Sequence, residues 1–287
     1  MTVPRTGLLV VACALLAACA GTVGPTAPPT VTSVPSPTPS QSPSPDTTTA
    51  VLRIEQTGGF MPRWEVLRWY PTVAVYADGR VISEGPMIEI YPGPALPNLQ
   101  LTRLTPAGLE QIRQWVAEAG LRGADRELGQ PMMDAGQTVF TVNSVEGRHR
   151  TVVWDLADPD PAIAALVELQ NVLLDLRSWL GSEVAAADEP YDWDQLRLVF
   201  HPADPTAAPD PQLVTVRDWP LADLATTGEW LEEEAGYRCA LVDGDELAIL
   251  RPVLETANEL SYWESAGVTY EVVLHPLLPD DEACPAV

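Results

Sequence analysis

Cysteine carries the most specific chemistry in this chain. Cys19 follows Leu16-Ala17-Ala18 and closes an apolar run over residues 7–16, with Arg5 ahead of it. A thiol placed directly behind small residues is the substrate for diacylglyceryl thioether formation and for cleavage on its amino side. The run is too short to span a bilayer as a helix. The pattern predicts a signal peptide over 1–18 and a lipid (palmitate-type) anchor on Cys19. Val10-Val11-Ala12 before Cys13 is a second local match, but it leaves too short an apolar region. An ordinary signal peptide with a chance cysteine is the alternative. Cys239 and Cys284 are the two thiols of the body, and in an exported chain an isolated pair predicts a disulfide. Neither belongs to a C-x-x-C, and no histidine stands at ligand spacing, so no metal is predicted.

Acid–base and nucleophilic chemistry has fewer candidates. All 16 basic residues are arginine, so Schiff-base chemistry, Ser-Lys catalysis and the Walker A lysine are excluded. There is no G-x-S-x-G, H-E-x-x-H or glycine-rich phosphate loop. His149 lies in Arg148-His149-Arg150, the local basic cluster, which suits either an anion contact or a charge-protected strand edge. His201 and His275 each precede a proline at a strand end, a structural position. The 40 carboxylates could supply an acid–base pair, but spacing selects none. The aspartates at 243–246 and at 155, 158 and 160 lack the calcium-loop register. No cofactor is predicted. Trp64, Trp69 and Tyr70 cluster beside Gly58-Gly59, where aromatic rings either stack on sugars or fill a core. Trp115, Trp154 and Trp179 fall in patterned elements and are expected in the core.

The net charge of −24 and a sequence pI near 4.2 repel phosphate backbones, so no nucleic-acid partner is expected. Residues 20–49 alternate proline with serine and threonine. They offer little to bury and predict a disordered, extended tether. The expected organisation is signal peptide 1–18, lipidated cysteine and linker 19–50, a first half 51–182 and a second half 188–287.

The elements follow from period and punctuation. Residues 51–55 read as a strand, and 73–77 with 80–82 flank Asp78-Gly79 as a hairpin. Residues 87–91 and 99–104 read as further strands. Thr105-Pro106 opens a helix with Leu109, Ile112 and Val116 on one face, stopped by Gly120. A second hairpin is expected around Glu146-Gly147. Asp160-Pro161 caps one long helix running to Leu180. In the second half, strands are expected at 196–200, 213–216, 238–242 and 268–274, with a helix over 245–257 capped by Asp245. Short helical turns are expected over 219–234. The fold class is α+β, two halves that are each a mainly antiparallel sheet with packed helices.

The stretches 53–60 (RIEQTGGF), 76–82 (YADGRVI), 91–100 (YPGPALPNLQ), 138–142 (TVFTV) and 275–284 (HPLLPDDEAC) resemble uncharacterised secreted lipoproteins of GC-rich, mostly Gram-positive bacteria. The resemblance implies export and lipidation, and no activity. The expected function is a lipid-anchored protein on the outer face of the cytoplasmic membrane. It would bind a cell-wall component or another envelope protein without catalysis. An extracytoplasmic hydrolase using acidic residues and a small-ligand-binding lipoprotein are the alternatives.

Overall fold

The computed structural model describes residues 46–60 and 65–285. Cys19, Trp64, the signal peptide and most of the predicted tether lie outside them. The first sheet is built from β1 (Ala50–Gly58), β2 (Val73–Tyr76), β3 (Arg80–Glu84), β4 (Leu99–Arg103), β5 (Arg126–Leu128), β6 (Gly136–Ser144), β7 (Gly147–Val153) and β8 (Glu189–Pro190). Its order is β5-β7-β6-β1-β2-β3-β4-β8, and every pair is antiparallel except β5–β7. β1 is central and pairs with β6 from Leu52↔Val142 to Gly58↔Gly136. Gly79 has φ 88°, the left-handed conformation that the β2–β3 turn needs. The β6–β7 turn is Val145-Glu146, one residue earlier than expected, and Gly147 opens the return strand.

Residues 87–91 form no strand. Ile88 is 69 % exposed, and the flanking Pro86 and Pro92 have no N–H to give a ladder. β5, absent from the sequence reading, is a three-residue edge too short to show a period.

Three helices cover one face of this sheet: α1 (Pro106–Glu118), α2 (Pro161–Leu174) and α3 (Leu176–Leu180). Thr105 Oγ1 accepts the N–H of Gly108 at 3.2 Å and starts α1. Asp160 Oδ1 accepts the N–H of Ala162 at 2.7 Å and starts α2. The expected single helix breaks at Asp175 (φ −133°, ψ 53°). The break re-aims the chain so that Leu176 and Leu180 stay buried, while Trp179 is left 57 % exposed. Leu109, Ile112 and Val116 of α1 and Leu166, Leu169 and Leu173 of α2 pack on Leu52, Ile54, Val75 and Phe140. Each such burial contributes about 1.5–3 kcal/mol.

The second sheet contains β9 (Gln195–Pro202), β10 (Thr215–Asp218), β11 (Glu229–Glu232), β12 (Tyr237–Asp243), β13 (Ser261–Ser265) and β14 (Val268–Pro276). Its order is β10-β13-β14-β9-β12-β11, with only β10–β13 parallel. Helix α4 (Gly244–Leu254) lays Leu247, Leu250 and Leu254 on Leu198, Phe200, Trp263 and Leu274. Asp245 sits in its first turn, where a carboxylate complements the helix dipole, rather than at the cap.

The buried tryptophans are Trp193, Trp219 and Trp263 of the second core, whereas Trp115 and Trp154 are only half-buried. The described residues are thus α+β with two mostly antiparallel sheets, carried in one compact unit. No helix among the described residues is long and apolar enough to cross a membrane.

Candidate functional site

Strand alternation assembles a polar site between the uncovered faces of the two sheets. On β1, Leu52 and Ile54 face the helices, so Arg53 and Glu55 face the other way. On β14, Val272 and Leu274 pack on α4, so Val273 and His275 face away, with Arg197 of β9 directly opposite His275. After β14 the chain makes a tight turn. The N–H of Asp281 donates to Leu278 O at 3.1 Å, and the N–H of Leu278 donates to Asp281 Oδ2 at 2.9 Å. This turn drives Leu278 into the first sheet beside Tyr76, Ile82 and Leu101. It also carries Asp280 and Asp281 to Arg53. The Cys239–Cys284 disulfide then ties the segment to β12, with the two Cα atoms 5.9 Å apart.

Arg53 is the hub. Its Nη2 donates to Asp281 Oδ1 at 2.7 Å, its Nη1 to Asp280 Oδ1 at 3.0 Å and its Nε to Glu55 Oε2 at 2.9 Å. The hydroxyl of Tyr76 donates to Asp280 Oδ1 at 2.6 Å. His275 Nε2 lies 3.3 Å from Asp281 Oδ2. The ring of Tyr70 is stacked on His275, centroids 4.1 Å apart and planes within 1°, and its hydroxyl donates to Pro276 O at 3.2 Å. Arg197 donates to two main-chain carbonyls, Glu282 O at 3.0 Å and Leu67 O at 3.1 Å. Arg53, Glu55, Tyr70, Arg197, His275, Asp280 and Asp281 line a cavity of about 670 Å³ together with Trp69, Thr141, Asn143 and Arg148.

The electrostatics lock most of these groups. Burial pushes the Asp281 carboxyl up, but the His275 hydrogen bond, the Arg53 charge and the Leu278 N–H outweigh it and hold the group at about 2. Burial drives His275 down, against the raising influence of Asp281. The ring is therefore neutral at pH 7, and an ionised Asp281 keeps the ring proton on Nε2. Burial opposes the charge on Arg53, yet Asp281, Asp280 and Glu55 together raise its affinity for the proton. Burial raises Tyr76, and Asp280 raises it further, so it stays protonated.

Among the residues singled out from sequence, Trp69, Tyr70 and Arg148 line this cavity. His149 falls on the opposite face, beside Val142 of the helix-covered core. Arg150 is exposed, and its main-chain N–H donates to Asp125 Oδ1 at 2.7 Å. The aspartates at 155, 158 and 160 each accept a main-chain N–H two residues on, as turns and caps do. No group of three or more His, Cys, Asp or Glu among the described residues could hold a metal ion. Glu84, whose carboxyl burial pushes up, lies apart in a smaller recess with Arg68 and Glu259.

Sequence reasoning missed Arg53, Arg197, Asp280 and Asp281, and it gave His275 only a structural place. The available signal was the acidic run 280–282 between a strand and Cys284, since carboxylates so close to a cysteine-pinned turn need a nearby cation. No family model matches the chain, and no match was found among the curated proteins or the solved structures.

Proposed function

We propose that this chain is a lipid-anchored protein on the outer face of the cytoplasmic membrane, held through Cys19, and that it binds its ligand without turning it over. The binding role rests on the cavity of about 670 Å³ between the sheets, inside the range of about 300–1,000 Å³ usual for small-ligand sites. Its walls are preorganised by ion pairs, by the Tyr70–His275 stack and by the disulfide. A preformed wall reduces the ordering cost of binding. Hydrolysis fits less well. An acid–base pair needs one carboxyl that keeps a proton near neutral pH, whereas Asp281 is held at about 2 and Arg53 binds Glu55, Asp280 and Asp281 together. The resemblance to secreted lipoproteins points to the same compartment, where cell-wall material is the abundant ligand.

Two measurements test this. Changing Cys19→Ala should move the protein from the membrane to the soluble fraction, and retention in the membrane would remove the anchor. Hydrogen exchange of the full chain should slow over residues 66–70, 139–143 and 275–282 when muramidase-solubilised wall fragments are added. Unchanged exchange there, or protection confined to other segments, would remove the cavity from the function.

A further inference from the structure

Three side chains around the cavity hold buried polar atoms with no hydrogen-bond partner among the described residues: Arg197 Nε, His275 Nδ1 and Thr141 Oγ1. The residues are 5 %, 2 % and 4 % exposed. An unsatisfied buried polar group costs about 1–3 kcal/mol, so folded proteins rarely keep several together without a purpose. All three stand on one connected surface. Thr141 is the cross-strand neighbour of Arg53, Arg53 holds Asp281, Asp281 holds His275, and His275 faces Arg197.

Their chemistry is complementary. Arg197 Nε is a donor only. His275 carries its proton on Nε2 toward Asp281, so Nδ1 offers a bare lone pair and accepts. The Thr141 hydroxyl does either. A partner must therefore both donate and accept within one small molecule. A carboxylate supplies acceptors only, and it or a phosphate would bring negative charge beside Glu55, Asp280 and Asp281. An amine supplies donors only and would meet Arg53, Arg148 and Arg197. Hydroxyl groups satisfy both demands without charge. Trp69, half-buried in the same wall, adds an indole on which a sugar ring can lie.

We infer that the cavity is a saccharide site, taking a neutral polyhydroxylated ring whose hydroxyls bond Thr141, His275 and Arg197 while Trp69 covers one ring face. This rests on the cavity being the binding site proposed above and names its ligand class.

The test is calorimetric titration of the purified full chain in detergent with chitotriose, cellotriose and maltotriose, and in separate runs with citrate, inorganic phosphate and spermidine. At least one trisaccharide should bind saturably, and the three charged probes should not. Thr141→Val keeps the side-chain shape and should weaken that binding about 5-fold, the loss of one neutral hydrogen bond of about 1 kcal/mol. Trp69→Ala should weaken it at least 10-fold. Near-wild-type unfolding curves for both variants establish that they fold, and Thr141→Val stands alone if Trp69→Ala does not. Absence of trisaccharide binding, binding that neither variant changes, or preference for a charged probe would overturn the saccharide assignment. Wall fragments that still protect the cavity in hydrogen exchange would then show that the class failed and the site stands; loss of both would remove the site itself.

Discussion

Replacing Asp281 with asparagine should destabilise the protein in a way that depends on pH. The side chain is 7 % exposed and accepts from Arg53 at 2.7 Å, from the Leu278 N–H at 2.9 Å and from His275 at 3.3 Å. Holding the carboxyl at about 2 instead of its ordinary 3.8 corresponds to about 2–3 kcal/mol of stability at neutral pH. Removing one member of a buried ion pair costs about 3–5 kcal/mol. Arg53 keeps Glu55 and Asp280, and asparagine keeps an acceptor for Leu278, so the lower figure of about 3 kcal/mol applies. For a folded unit of this size that lowers Tm by about 6–12 °C. The folded-state affinity for the proton is depressed, so the contribution is fully present above about pH 5 and is lost as pH falls through about 2. Urea unfolding of both proteins at pH 7, 5, 3.5 and 2.5 reads this directly. The two curves of stability against pH should lie apart at pH 7 and converge toward acid. Curves that run parallel, or that differ by less than about 1 kcal/mol at pH 7, would refute the assignment of Asp281 as the charged partner of Arg53 and His275.

The disulfide closes a loop with a sequence separation of 45, for which chain entropy gives about 4 kcal/mol; Cys239→Ser should shift the urea midpoint by a matching amount, and a midpoint unchanged by reductant in the wild type would contradict it. Gly228→Ala should be severely destabilising. Gly228 has φ 67°, and an added Cβ would stand 2.1 Å from the main-chain oxygen of Cys239, so a normal melting curve for that variant would show that the β11–β12 edge can give way.

The sequence made visible what local chemistry controls. Asp78-Gly79 and Asp160-Pro161 announce their turn and helix start because the responsible groups are neighbours in the chain. The leucine stripe of α2 shows for the same reason, since its period is the helix itself. The strands that went unseen, β5, β8, β11 and β13, are short and rich in charge or hydroxyl, and only their place in a sheet makes them strands. Residues 87–91 erred the other way, with strand composition but prolines at both ends. The break at Asp175 was hidden because the apolar stripe runs straight through it. The cavity was the least legible part. Arg53 and Asp281 are separated by 228 residues, and nothing local to either names the other. Cys239 and Cys284 were legible as a pair because neither sits in a C-x-x-C and no histidine stands at ligand spacing, yet the pairing gave no hint that the segment beside it would wall a cavity.

The segment after β14 also fixes when the molecule can become whole. β1 comes early in the chain and Asp280 and Asp281 follow the last strand of both sheets, so the site is complete only when that last segment docks. Until then Arg53, on the central strand of the first sheet, faces inward with Glu55 as its sole counter-charge, and His275 has no carboxylate to hold its proton. Leu278 of the same segment also covers Tyr76, Ile82 and Leu101 on that face of the first sheet. A product truncated before Asp280 would carry the strands of both sheets and still lack the carboxylates that pair with Arg53 and His275.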